Sequence, residues 1–170
     1  MANSFVGLAS FALLLVASFS FVDAVKDKYV DIRLEVGKPY FTAHYKEAGA
    51  KKDAKPPVLV LHAGHYSSEK WQETGTIDAL TQAGAYVVAV DLPSYGKTGG
   101  EKLFNAEDRV KFLQAFLAAV KLEKSTAAKI YSWVFPNSEL TIFENGGINC
   151  YLEEPEKFND VVVNFYQSRL

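Results

Sequence analysis

The sequence is poor in residues that build metal and disulfide sites, with one cysteine, Cys150, and three histidines in 170 residues. A single thiol cannot form an intramolecular disulfide, and it excludes a zinc site made of several cysteines. Neither sign of charge is in large excess, because 18 basic and 20 acidic side chains leave a net charge of −2. That balance gives no footprint for nucleic acid. The glycine-rich phosphate motifs are absent as well, and no cofactor is expected.

Apolar and aromatic residues, in contrast, are abundant. Hydrophobic residues make up 49% of the chain and include 12 Phe, 9 Tyr and 2 Trp, which is too much aromatic surface for a disordered chain. A length of 170 residues is enough for one domain with its own core. The composition therefore predicts a single folded domain.

An uncharged segment lies near the N-terminus, at residues 5–22, and Asp23 ends it. The pattern Val22-Asp23-Ala24 before a charged run is typical of a signal-peptide cleavage site. We therefore expect residues 1–24 to be a signal peptide and residues 25–170 to form a single domain, secreted or in the lumen of the secretory pathway. Two alternatives stay open: a membrane anchor through residues 5–22 and a buried helix.

Strand patterns follow in the remainder of the chain. Alternation of apolar and polar residues over 30–36 predicts a strand, and residues 40–45 predict its hairpin partner. Residues 46–55 are polar and predict a solvated loop. The short apolar runs at 58–61 and 86–90 are typical of strands that are covered on both faces. A further strand is predicted at residues 140–143.

Helical patterns alternate with these strands. Helices are predicted over residues 69–83, from Asn105 and from Pro155. Their expected buried residues are, in chain order, Trp71, Ile77 and Leu80; Val110, Leu113, Leu117 and Val120; and Phe158, Val161, Val162 and Phe165. The order of strands and helices predicts the α/β class, with a mostly parallel sheet, an N-terminal hairpin and flanking helices.

Two loops follow predicted parallel strands, at residues 62–68 and 91–96. Ligands of open α/β sheets bind beyond the carboxyl ends of the strands, so these loops are the candidate site. Glycine in the first loop would let backbone N–H groups approach an oxyanion. The simpler interpretation is a strand-to-helix turn in which Ser67 or Ser68 caps the next helix.

Other kinds of catalytic site find little support. His62, His65 and His44 are too few for a metal site. Cys150 paired with a histidine could act as a thiol nucleophile, although a lone cysteine is more often simply buried. A serine hydrolase of this fold needs an elbow such as G-x-S-x-G, and no serine here has it. Ser132, the serine that follows an apolar stretch, is flanked by bulky Tyr131 and Trp133.

Three sequence blocks resemble a known family. They are the block from His62 to Trp71, the DLPSYG block from Asp91 to Gly96, and the segment at residues 139–165 that contains CYLEEP. Together they resemble the α/β-hydrolase superfamily, and more narrowly the domain-fourteen group that includes the CCG-interacting-factor-B type. The resemblance implies serine-type hydrolysis or acyl transfer, with lysine deacylation to coenzyme A proposed for one branch. It also implies that Gly64 and His65 form the oxyanion-side loop.

The sequence departs from this family at two places. The resemblance places the nucleophile elbow, further βα units and the acidic triad residue between Lys124 and the last strand, where this chain has only residues 125–136. A βαβ crossover alone takes about a dozen residues, so these units do not fit. Where the family has its base histidine this chain has Ile148, and no histidine follows His65.

These departures predict a shortened α/β-hydrolase-like protein that is catalytically inactive. The first alternative is a binding module for a small acyl ligand or a protein partner. The second is a hydrolase that uses an improvised site of Cys150 and His65. Because a sheet without its central strands exposes an edge, self-association is also expected.

Overall fold

The computed structural model describes residues 24–34, 40–51, 56–122 and 150–170. The four strands within these described ranges form one sheet in the order β1-β2-β4-β3. The strands are β1 (Lys26–Arg33), β2 (Tyr40–Ala48), β3 (Val58–Leu61) and β4 (Val87–Val90). The pairs β1–β2 and β2–β4 are antiparallel, whereas β3 and β4 are parallel. The α/β class is therefore confirmed.

The hairpin is longer than its sequence pattern predicts. Strand β1 begins at Lys26, and β2 continues through residues 46–48, which the polar composition had placed in a loop. Those residues are held in the strand because β2 pairs with β4 from Tyr45, opposite Val90, to Ala48, opposite Val87. The predicted mostly parallel character therefore applies to β3 and β4, while the extended hairpin adds two antiparallel pairings to the described part of the sheet.

Helices cover the sheet on both faces. The described helices are α1 (Glu69–Glu73), α2 (Thr76–Gln82), α3 (Ala106–Ala119), α4 (Cys150–Glu153) and α5 (Pro155–Gln167). Helix α3 packs Phe112, Leu113, Phe116 and Leu117 against the hairpin. The other four helices contribute to the opposite core, which holds Trp71, Ile77, Leu80, Tyr151 and Tyr166. All of β4 is buried between these two layers, as its continuous apolar run predicts.

Two helix predictions were wrong in detail. The single helix predicted over 69–83 is two helices, because Gly75 adopts a left-handed conformation with φ 70° and interrupts the helix. In α5, Phe165 is 38% exposed, and Tyr166 occupies the buried position instead. Tyr166 continues the helical spacing from Phe158 and Val162, so the buried stripe lies one residue further along than predicted.

Several predictions fall outside the described residues. They are residues 1–23 of the expected signal peptide, the short segment at 125–136 where the family has its elbow, the strand at 140–143, and Ile148 at the position of the base histidine. Among the helices of the described ranges, none is long and apolar enough to cross a membrane.

Candidate functional site

The two loops predicted to form the site lie side by side. Because β3 and β4 are parallel, their carboxyl ends meet at one edge of the sheet, and the loops that follow them border a cleft of about 330 Å³. The cleft is lined by His65, Tyr66, Ser67, Glu69, Lys70, Glu73, Ser94, Tyr95 and Gly96. It combines hydroxyl groups, two tyrosine rings and charges of both signs.

Each of these loops contains a residue in an uncommon backbone conformation. His65 has φ 72° and Ser94 has φ 71°, in the left-handed region that non-glycine residues seldom adopt. The Tyr66 amide donates to the Ala63 carbonyl oxygen at 3.2 Å, which closes the turn at Gly64 and His65. Gly64 and His65 are both exposed. The turn that the family resemblance implies to be the oxyanion-side loop therefore faces solvent at the cleft.

Asp91 is buried beneath the two loops, and its carboxylate is hydrogen-bonded to backbone amides of both loop regions. It is 1% exposed, and its Oδ1 accepts from the Ser68 amide at 2.6 Å. Its Oδ2 accepts from the Lys97 amide at 2.9 Å and lies 2.7 Å from His44 Nδ1. Burial raises the pKa of Asp91, but the Lys97 and Ser68 donors outweigh it and hold that pKa below its ordinary value.

The capping interpretation of the first loop is met only in part. Ser68 stands at the N-cap of α1, but its side chain makes no capping hydrogen bond. The Ser67 hydroxyl accepts from the Glu69 amide at 3.3 Å. The main function of Ser68 in the loop is the amide donated to Asp91, because that bond connects the start of α1 to the loop after β4.

His44 lies on β2 between two carboxylates. Its ring is 1% exposed, with Nδ1 beside Asp91 and Nε2 3.0 Å from Asp27 Oδ1. Its backbone amide donates to the Thr98 hydroxyl at 2.8 Å. Sequence reasoning weighed His44 only as a metal ligand and missed this position. The alternation of β2 was the available signal, because His44 shares a face with Thr42, opposite the apolar face of the strand.

Asp27, on the outer side of His44, accepts hydrogen bonds from two lysines. Lys46 Nζ donates to its Oδ1 at 3.0 Å, and Lys97 Nζ donates to its Oδ2 at 3.1 Å. Hydrogen bonds from Lys46 and Lys97 hold the pKa of Asp27 well below its usual range, against the smaller effect of burial. Lys46 also contacts Glu69 at 3.0 Å, so the network runs from the hairpin to α1.

Both ring nitrogens of His62 are hydrogen-bonded to backbone groups. It is 5% exposed, its Nδ1 lies 2.8 Å from the Ala63 carbonyl oxygen, and its Nε2 lies 3.0 Å from the Leu92 nitrogen. The Leu92 amide donates to Nε2, so the ring proton resides on Nδ1 and donates to Ala63. Its ring also packs edge-on against Tyr95 at 5.3 Å. This histidine therefore fixes the two loops relative to each other.

In the described part of the chain, the candidate thiol is not hydrogen-bonded to a histidine. Cys150 begins α4 and is half-buried. Within the described ranges, no hydrogen bond connects Cys150 to His65, the exposed histidine of the cleft. In the same part of the chain, no three His, Cys, Asp or Glu side chains are grouped so that they could hold a metal ion.

Comparison with known proteins gives partial sequence matches. The chain is 34% identical to the protein ABHD14A of Danio rerio over 64 residues, which are 37% of this chain and 24% of that protein. It is 51% identical over 43 residues to a protein of Homo sapiens named "Putative protein-lysine deacylase ABHD14B", covering 25% of this chain and 20% of that protein. These matches thus span between a fifth and a quarter of the relatives' length. No family model matches the chain.

A solved structure resembles this arrangement of strands and helices. The crystal structure of a "predicted CIB-like hydrolase" from Thermoplasma acidophilum superposes with a TM-score of 0.66 at 15% identity, covering 84% of this chain and 98% of that chain. The chain is therefore an α/β-hydrolase-fold protein, smaller than the full fold in its described part. The predicted resemblance to the domain-fourteen group, ABHD14, is confirmed as well, and the partial coverage fits a shortened form.

Proposed function

We propose that this chain is an α/β-hydrolase-fold protein that does not catalyse hydrolysis. The observation that supports this most is the state of its three histidines. A serine or cysteine hydrolase needs a histidine in hydrogen-bond reach of its nucleophile. The rings of His44 and His62 already have partners at both nitrogens, in each case carboxylates or backbone groups. His65 is the remaining histidine, and the sequence offers it no elbow serine.

We expect hydrolysis of a p-nitrophenyl ester by the purified protein to equal the background rate. Losing a nucleophile or base typically costs several orders of magnitude in rate. Ile148→His is expected to remain inactive, because a base without a nucleophile does not form the acyl intermediate. The matched test of the improvised thiol site is Cys150→Ala. Turnover that is measurable in the natural chain and absent in Cys150→Ala would contradict the proposal.

A second candidate function is ligand binding in the cleft. A volume of about 330 Å³ lies within the size range of small-molecule pockets. Tyr66 and Tyr95 offer apolar ring surface, while Ser67 and Ser94 offer hydroxyl groups. These features support a small ligand with an acyl chain and a polar end. The name of the ABHD14B relative suggests an acylated lysine as the first probe.

Binding can be tested with Nε-acetyl-lysine followed by NMR. We expect chemical-shift changes to be concentrated in the 62–68 and 91–96 loops. Ser67→Phe places a ring into the cleft and should abolish the changes, whereas Ser168→Phe, at the exposed end of α5, should leave them intact. Equal shift changes in the two variants would show that the probe binds elsewhere. Failure of this test leaves the first proposal standing, because an empty cleft is also catalytically inactive.

A further inference from the structure

We infer that His44, Asp27 and Asp91 form a protonation-dependent latch that holds the hairpin to the loop lining the cleft. We call these three residues the His44 latch. His44 is buried, and each of its ring nitrogens faces a carboxylate oxygen, at 2.7 Å on one side and 3.0 Å on the other. This inference goes beyond the proposed function, since it holds whether or not the cleft takes a ligand.

The latch joins the two strands of the hairpin to one of the loops that line the cleft. Asp27 belongs to β1, His44 to β2, and Asp91 to the loop after β4. Asp91 in turn accepts amides from Ser68 and Lys97, one at the end of each cleft loop. The titratable, charged and polar groups that surround His44 directly or through Asp27 are Asp27, Tyr29, Lys46, Glu69, Asp91, Lys97 and Thr98.

The number of protons on the His44 ring determines to how many carboxylates it can donate a hydrogen bond. The imidazolium form has two N–H donors and can donate to Asp27 and Asp91 together. Either neutral tautomer has one donor, so the other nitrogen turns a lone pair toward a carboxylate oxygen. Such hydrogen bonds between charged partners are about twice as strong as neutral ones. The latch is therefore closed when His44 is protonated and opens as rising pH removes that proton.

The surroundings determine which contact opens. Asp91 is 1% exposed and needs its donors, so a neutral His44 keeps its proton on Nδ1. The Asp27 side chain is 43% exposed and can turn toward water. Because Lys97 Nζ is bound to Asp27, that movement also releases the anchor of the loop at residues 91–97.

Amide hydrogen exchange of the full-length chain, with NMR titration of His44, tests the latch. We expect the exchange rate of the Lys97 amide, corrected for intrinsic base catalysis, to rise about threefold as His44 deprotonates, because the contact that is released, Lys97 Nζ to Asp27, is an exposed ion pair. Asp27→Asn removes the outer carboxylate and should abolish this pH dependence. Its matched control is Asp31→Asn on the same strand face, which should retain the dependence.

Three outcomes would overturn the inference. One is a His44 ring that keeps the same protonation state from about pH 5 to 9, the range that covers histidine titration. Another is a His44 titration without a change at the Lys97 amide. The third is the same pH dependence in Asp27→Asn as in the natural chain. The first two are measured on the natural sequence, so they test the inference even if Asp27→Asn folds poorly.

Discussion

Replacing Asp91 with alanine is expected to lower the free energy of unfolding by about 3–5 kcal/mol, the range for breaking a buried charged network by removing one partner. The carboxylate is 1% exposed and accepts from His44, Ser68 and Lys97. Alanine leaves these donors without a partner in a place that water does not reach easily. The loss would also free the ends of both cleft loops.

Chemical denaturation of the natural and variant chains measures this difference. Asp78→Ala is the matched control, because Asp78 is an exposed carboxylate on α2, and its replacement should change stability by less than about 0.5 kcal/mol. A loss of less than 1 kcal/mol in Asp91→Ala, about the value of a single ordinary hydrogen bond, would contradict the assigned network.

The pH dependence of stability gives an independent check on Asp91. The pKa of Asp91 is lower in the folded chain than its ordinary value of 3.8. A depressed carboxyl pKa stabilises the fold above the ordinary value, and this contribution is lost as pH falls through the folded value. The natural chain should therefore lose stability on acidification below about pH 4, and Asp91→Ala should lose less of it.

The sheet could be predicted from the sequence wherever apolar spacing determined the structure. The run at residues 58–61 gives β3 with the predicted bounds, and that at 86–90 gives β4 within one residue. Asn105 was predicted to begin a helix, and its side chain accepts from the Asp108 amide at 2.7 Å. In these cases the decisive interactions are local in the chain or follow from burial of an apolar strand.

The polar network could not be predicted in the same way. Lys46 looked like the start of a solvated loop, yet it is 5% exposed, because Asp27 and Glu69 neutralise its charge. Asp27 precedes Lys46 by 19 residues, and Asp91 follows His44 by 47. Such pairings depend on how the hairpin lies against β4, which spacing along the chain does not encode.

Cleavage of the signal peptide after Ala24 and self-association of the chain stay predictions.

The placement of the candidate loops, in contrast, followed from topology. Parallel strands bring their carboxyl ends together, so loops 62–68 and 91–96 had to meet if β3 and β4 paired directly. What the sequence did not indicate is that two of the three histidines, His62 and His44, have structural contacts. His62 serves the backbone of Leu92, and His44 serves Asp91 beneath the cleft. Two of the three histidines are thus held in structural contacts, whereas His65 lies exposed at the cleft.

Gly96 is the second position at which one substitution should have a large effect. We expect Gly96→Ala to lower the free energy of unfolding by about 3 kcal/mol, from overpacking and an unfavourable backbone conformation. Gly96 has φ 53°, and a Cβ there would overlap all three atoms of the Asp91 carboxylate, the farthest at 2.8 Å. The carboxylate cannot turn aside without losing the Ser68 and Lys97 amides.

Gly99→Ala is the control, because its Cβ would meet no atom within 4 Å. Both variants add one methyl group to the same loop region, so comparing their denaturation midpoints measures the combined effect of the Asp91 contact and of the left-handed backbone at Gly96. The double variant Gly96→Ala/Asp91→Ala should lose less free energy of unfolding than the two single variants lose together. The reason is that the methyl group then occupies space that the carboxylate has left. Fully additive losses would mean that Gly96 is required for its backbone conformation alone, and that Asp91 does not dictate the glycine.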